Sequence, residues 1–269
     1  MPLSIVTDEI SYDPAAAVSI AREWGIRSFE LRRVFLQRVP FIEEGGHQVI
    51  DGILHGLAVA DVRFVAVSPG LYKCAMSHWE FAWEAGNKLD ESLRLCQRLN
   101  GALLVVFGVG RTGRESFQQV ADHFGAVARR AEGAGIDAAI EIESGTWADS
   151  GAAAAAICKA VGSKRLGINW DVANALGSGE RALPDGYAAV KPFLKHLHLK
   201  DSAPAPGGGH QVCVLGEGEV GWPEVFRQLA ADGYRGTMSV ETHMKPKYEM
   251  SKLCVAAATR MLASAGLEA

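Results

Sequence analysis

Eight short runs of β-branched and aliphatic residues, "LSIVT", "IRSFELR", "VRFVAVS", "ALLVVFG", "IDAAIEIE", "LGINWD", "FLKHLHLK" and "TMSVET", recur along the 269-residue chain. They begin near residues 3, 26, 63, 102, 136, 166, 194 and 237, and every interval between them has room for a helix and its loops. Helical apolar spacing is clearest in "DPAAAVSIAREWG", "FQQVADHFGAVARRAEGAG" and "WPEVFRQLAADGY". Helical segments stop at Gly25, Gly101, Gly135 and Gly233, each just ahead of a strand-like run. Eight such β/α units with no Pro/Ser-rich linker predict one α/β domain over residues 1–269, a single (β/α)8 TIM barrel. An open dinucleotide-binding sheet is the weaker fit, because no G-x-G-x-x-G follows the first run.

Composition narrows the function classes. A 48% hydrophobic chain has ample material for a core, and 27 basic against 31 acidic residues give a net charge of −4. No general field draws in nucleic acid or an anionic membrane. The five cysteines are odd in number and form no Cys-x-x-Cys pair, which argues against a disulfide framework and a thiolate zinc knuckle, and for a reducing cytoplasm. "MPLSIVTDEI" lacks a basic start and apolar stretch, and no apolar run reaches spanning length, so neither secretion nor a membrane anchor is expected. The alanine run "GAAAAAIC" reads as the fifth helix, alanine being the best helix former. "SAPAPGGGHQ", after the seventh strand, reads as a flexible insertion among the site loops.

The polar residues fall where such a barrel does its chemistry. Side chains alternate along a strand, so in "FLKHLHLKDS" His196, His198 and Lys200 share one face and Leu197 and Leu199 the other. In a closed barrel one face points inward and the other packs against helices, so the polar face is not a solvated one. Strand five ends in "AIEIES", with Glu141 and Glu143 on one face. Strand six ends at Asp171, strand seven carries His198 and strand eight ends at Glu241. Carboxylates gathered in an interior cost many kcal/mol unless a cation or protons compensate, so the cluster predicts a bound divalent metal. Oxygen-rich ligation with one histidine suits Mn²⁺, Mg²⁺ or Co²⁺, with Zn²⁺ and Fe²⁺ also compatible. Such an ion with two open positions would chelate vicinal oxygens of a hydroxy-ketone and stabilise the enediolate formed when the adjacent carbon loses a proton.

With these segments, "AIEIESGTWADS", "INWDVANAL", "HLHLKD", "LGEGEVGWPEVFRQL" and "GYRGTMSVETH", the chain resembles the sugar phosphate isomerase/epimerase family of xylose isomerase-like barrels nearly end to end. The resemblance implies metal ligands Glu141, Asp171, His198 and Glu241, with Glu141 and Glu241 also exchanging the substrate proton. His196 would be a neighbour. Glu143 stands where many members carry a histidine and Asn174 where some epimerases do, and both positions usually touch substrate in the family. The function implied is a divalent-metal-dependent isomerase or epimerase of a sugar or polyol ketone. Its alternative is a dehydratase of an inosose-like or hydroxylated cyclic ketone, and a third reading is a sugar-binding relative without turnover. Endonuclease IV-like repair enzymes share this barrel but need histidines after early strands, where this chain has Ser68 and Gly108. The family contains dimers and tetramers, so a homo-oligomer is compatible with the sequence, which carries no interface signal of its own.

Individual residues are weighed beside this set. Glu30 binds substrate or pairs with Arg32 or Arg33. Arg111 and Arg114 hold a substrate anion or are simply solvated. Lys200 neutralises developing charge or pairs with Asp201. His243 is placed to contact substrate. Glu219 and Trp222 cover the site or form a turn and a first helical residue, with Pro223 suited to a helix start. His47, His55, His78 and His123 read as surface or core, and Trp24, Trp79, Trp83 and Trp147 as packing. Trp147 and Trp170 are also near enough to strand ends to wall a sugar pocket.

Overall fold

The computed structural model describes residues 3–40, 50–52, 56 and 61–267. His47 and His55 lie outside the described residues. The strands β1 (Leu3–Val6), β2 (Ser28–Leu31), β3 (Arg63–Val67), β4 (Leu103–Phe107), β5 (Ala138–Glu141), β6 (Leu166–Asp171), β7 (Leu194–Leu199) and β8 (Thr237–Val240) form a closed barrel in chain order. All eight pairings are parallel, and β8 returns to β1 through Leu3 opposite Met238 and Ile5 opposite Val240. Both faces of such a sheet are covered, which explains the near-continuous apolar runs: every residue of β4, "LLVVF", is buried.

The outer layer includes α1 (Pro14–Glu23), α2 (Leu89–Arg98), α3 (Phe117–Ala134), α4 (Gly151–Val161), α5 (Trp222–Ala231) and α6 (Lys247–Ser264). Local chemistry sets their ends. Asp13 caps α1 by accepting from the Ala15 amide at 2.9 Å, and Ser116 and Gln119 form a reciprocal capping box on α3. Gly135 ends α3 at φ 71°, a left-handed conformation that a side chain would oppose. The alanine run is α4, capped by Ser150.

Three expectations are revised. The Ser202–Gln211 segment is not a loose insertion: Asp201–Pro204 pairs antiparallel with His210–Cys213 as a ribbon above β7. Trp79 and Trp83 do not pack inside, being 77% and 43% exposed. Trp170 walls no pocket, because it faces outward beside Leu197 and packs its ring 5.7 Å from Tyr187. Trp222 is the first residue of α5, fully buried, and its indole N–H donates to the Lys200 carbonyl at 3.0 Å. Among the described residues no helix is long and apolar enough to cross a membrane.

Candidate metal centre

Strand register builds the site. His198 on β7 stands opposite Asp171 on β6 and Ser239 on β8, and His196, one inward position below, stands opposite Asn169 and Thr237. Glu141 closes β5, two residues above buried Ala139 on the same face. Glu241 follows β8, its amide donating to the Leu199 carbonyl at 3.1 Å. One ligand atom from each of Glu141, Asp171, His198 and Glu241 falls in a group spanning no more than 4.8 Å, and none of the four is more than 4% exposed. Two polar atoms of these residues make no hydrogen bond: His198 Nδ1 and Asp171 Oδ2. Nδ1 lies 3.3 Å from Glu241 Oε2 and 3.6 Å from Glu141 Oε1. Oδ2 has only the Lys200 ammonium, 2.5 Å away but outside hydrogen-bonding direction. Three carboxylates and an imidazole converging at one buried point, with the His198 Nδ1 lone pair open, fit a divalent cation.

The electrostatics point the same way. Burial alone would lower the pKa of His198, yet Glu30, Glu241 and Glu141 hold it well above the ordinary value. Burial would likewise lower Lys200, and Asp171 and Glu241 raise it instead. For Glu241, burial pushes upward but Lys200, His198 and His243 hold the carboxyl well below the usual range. The pocket thus has a negative field that retains protons on its bases, and a metal ion would take the place of the His198 proton.

Under the quartet lies a hydrogen-bonded floor. Glu30 is fully buried and receives His198 Nε2 at 3.1 Å, His196 Nε2 at 3.1 Å and the Ser68 hydroxyl. His196 continues downward to Thr237 at 2.6 Å and Ser239 at 3.0 Å, and Ser239 meets Ser4 at 2.6 Å. Glu30 therefore pairs with neither Arg32 nor Arg33. Glu30, His196 and His198 also approach closely enough to hold an ion, but their mutual hydrogen bonds already occupy them.

The rim contains residues that the sequence left unmarked. Arg32, beyond β2, binds Asp8 at 3.0 Å, Glu9 at 2.5 Å and Glu241. Glu9 also accepts from the Thr242 hydroxyl at 2.9 Å and the His243 amide at 3.0 Å. Burial would raise Glu9, but the His243 hydrogen bond and Arg32 bring it to about 2. His243 lies 3.2 Å from Glu9 and 3.3 Å from Glu241, and the Glu241 charge lifts it to about 9, so it is cationic at neutral pH. Acidic residues after the first strand paired with a basic residue after the second were the available signal for Asp8, Glu9 and Arg32.

The remaining expected residues are dispersed. Lys200 lies within the quartet, 3.4 Å from Glu241, while Asp201 instead accepts backbone amides of Ser202 at 2.9 Å and Gly216 at 2.8 Å. Glu143 is higher on the rim, 3.1 Å from Lys73. Asn174 spends its side-chain amide on the Ile142 carbonyl at 2.9 Å, and its backbone N–H donates to Asp171 Oδ1 at 2.9 Å. Arg111 is exposed, 3.5 Å from Asp149, with its guanidinium 4.9 Å over the Trp147 ring.

Residues 18–262 match the family profile described as a xylose isomerase-like TIM barrel. No curated protein sequence matches the chain. Among solved structures, a probable 3-DHS dehydratase, AsbF, from Bacillus anthracis superposes with a TM-score of 0.77 at 17% identity, covering 96% of this chain and 99% of that one. An L-ribulose 3-epimerase gives 0.76 at 17% identity, with coverage of 99% and 96%. A xylose isomerase-like TIM barrel protein from Mycobacterium smegmatis in complex with magnesium gives 0.72 at 16% identity, with coverage of 93% and 88%. At these identities the likeness is one of fold.

Proposed function

The chain belongs to the xylose isomerase-like TIM barrel family, and from that premise we propose that it is a divalent-metal-dependent isomerase or epimerase of a sugar or related polyol ketone. The observation that carries this reading is the buried quartet Glu141, Asp171, His198 and Glu241, in which His198 Nδ1 makes no hydrogen bond and Asp171 Oδ2 has only its ion pair with Lys200. These four would hold the ion, Mn²⁺ being the best match to the donor set, with Mg²⁺, Co²⁺, Zn²⁺ and Fe²⁺ as competitors. When bound, the ion supplies Lewis-acid polarisation of a substrate carbonyl.

The chain's own residues do the rest. Glu141 and Glu241 approach from different strands and serve as the acid/base pair that removes and returns a proton beside the carbonyl. The cations Lys200 and His243 flank Glu241 at 3.4 and 3.3 Å and stabilise negative charge developing on the substrate. Glu143 and Arg111, on the rim, contact the distal part of the substrate. Glu30 and Asn174 are better suited to supporting His198 and Asp171, because their side chains are already engaged beneath and beside them.

A second reading, loss of water from a hydroxylated cyclic ketone, is favoured by Lys200: its ammonium, beside the base Glu241, is placed to protonate a departing hydroxyl. A sugar-binding protein without turnover remains the third reading, with the acidic cluster retained for metal alone.

The deciding experiment is elemental analysis after dialysis against trace Mn²⁺, comparing wild type with His198→Ala and Glu241→Ala. About one metal per chain, lost or much weakened in both variants, is expected from four shared ligands. Ketoses and inososes are then screened in D₂O. Solvent deuterium entering a product of otherwise unchanged composition supports isomerisation or epimerisation, and loss of water supports the dehydratase. A wild-type protein that binds no metal would overturn the reading.

A further inference from the structure

The carboxyl-terminal face of the barrel has a surplus of arginine at one point. A two-stranded ribbon follows β2, pairing Arg33–Val34 with Gln37–Arg38, and its register sets Arg33 directly opposite Arg38. Like charges so placed repel, and the arrangement is destabilising unless an anion lies between or beside them. Neighbouring cations have acceptors: Arg32 binds Asp8, Glu9 and Glu241, Lys73 binds Glu143, and Lys200 binds Asp171. Arg33 donates to the Leu36 carbonyl at 2.8 Å and lies 3.8 Å from Asp8. Arg38 is half-buried and has no carboxylate or carbonyl acceptor among the described residues.

Its guanidinium packs against backbone. The guanidinium lies over Gly70, just past β3, so closely that a Cβ at that position would collide with Nη1 and the guanidinium carbon. Gly70 has φ 74° and no side chain, and so leaves a shelf on which the planar group rests. Arg38 follows β2 and Gly70 follows β3, so the guanidinium stands on the carboxyl-terminal face of the barrel, and the Glu141 and Asp8 charges favour its protonated form. Burial and the charges of Arg33 and Arg32 all work against its protonated form, and arginine keeps its proton regardless.

We propose that Arg38 is an anion-recognition residue of this site, and that the substrate carries a carboxylate or phosphoryl group which this guanidinium receives. The inference rests on reading the carboxyl-terminal face as the substrate site, and it gives that reading a substrate class: acidic sugars, keto acids or sugar phosphates rather than neutral sugars. A guanidinium offers two parallel N–H donors to either group, and a partly desolvated one binds more strongly than one in open water.

The test uses three probes with the same six-carbon chain, D-glucitol, D-gluconate and D-glucitol 6-phosphate, titrated calorimetrically into the full-length protein with and without Mn²⁺. The expected result is saturable binding of at least one anion about tenfold or more tighter than D-glucitol. A preference for gluconate identifies a carboxylate site, and one for the phosphate a phosphoryl site. Arg38→Ala is expected to abolish the preference, Arg38→Lys to keep part of it, and Arg260→Ala, an exposed residue of α6, to leave it unchanged. Equal affinity for all three probes, or no binding of either anion, would overturn the proposal. So would a preference that survives in Arg38→Ala and disappears in Arg111→Ala. Manganese content is measured on the same samples, so one metal per chain without anion preference sinks this inference alone, whereas anion preference without metal sinks the proposed chemistry alone.

Discussion

The imidazole of His198 rests on the carboxylate of Glu30, with Nε2 3.1 Å from one oxygen and 3.2 Å from the other, while Nδ1 faces Glu141 and Glu241. This contact selects the tautomer. A proton held on Nε2 by Glu30 leaves the Nδ1 lone pair free for a cation, and it fixes the ring plane.

Glu30→Gln should therefore weaken Mn²⁺ binding by about 10- to 100-fold, although residue 30 is not itself in the quartet. Calorimetric titration of metal into the apoprotein reads this directly, with circular dichroism confirming the fold. Unchanged affinity would mean that Ser239, His196 and the strand backbone alone orient the ring.

Arg32 is the only residue bonded to all three of Asp8, Glu9 and Glu241 among those described. Removing one member of a buried ion cluster leaves the others uncompensated, so Arg32→Met should cost about 3–5 kcal/mol in urea unfolding of the apoprotein. Adding Asp8→Asn should restore part of the loss, because the two changes share a partner. Additive losses would show that the contacts are energetically independent.

The barrel was legible because its signals are periodic: strand positions came within two residues of the observed starts, and Gly25, Gly101, Gly135 and Gly233 all adopt positive φ. Strand-end positions and alternation put Glu141, Glu143, Asp171, His198 and Glu241 at one end of the barrel, but alternation could not separate Glu141 from Glu143, and the choice of quartet that the structure brings together came from the family resemblance. Arg32, Asp8 and Glu9 were missed because loop side chains have no period, and their convergence depends on β1 lying between β2 and β8 in the closed barrel. The ribbon at Asp201–Cys213 was hidden by its Gly/Pro-rich tip. The exposure of Trp79 could not be read from residue type, since a large aromatic is buried only if a partner surface reaches it.

Close packing between β6 and β7 gives a stability prediction. A methyl group at Gly167 would collide with the Phe193 backbone carbonyl, which cannot swing aside as a side chain can. Gly167→Ala should lose about 1–3 kcal/mol. Gly177→Ala, where nothing lies within 4 Å and the residue is helical, should be neutral or gain up to about 1 kcal/mol. Melting temperatures of the two variants, compared side by side, check both signs.

His123 predicts an acid sensitivity separate from the metal centre. Its ring lies 4.4 Å from Tyr72, 4.8 Å from Phe81 and 5.2 Å from Phe124, and Nε2 has no hydrogen-bond partner. Burial lowers its pKa to about 4. An unfolded chain takes up the proton near pH 6.5 and the folded one resists it until about 4, so below 6.5 the unfolded state binds more protons. Stability from this residue is complete above pH 6.5, falls as the pH drops, and levels off near pH 4. Between pH 7 and 5 the loss should be about 2 kcal/mol. Urea unfolding of the apoprotein at both pH values, in wild type and His123→Phe, isolates it: the variant should lose about 2 kcal/mol less than wild type over this interval. Equal losses would mean that the imidazole reaches solvent and titrates normally in the folded protein.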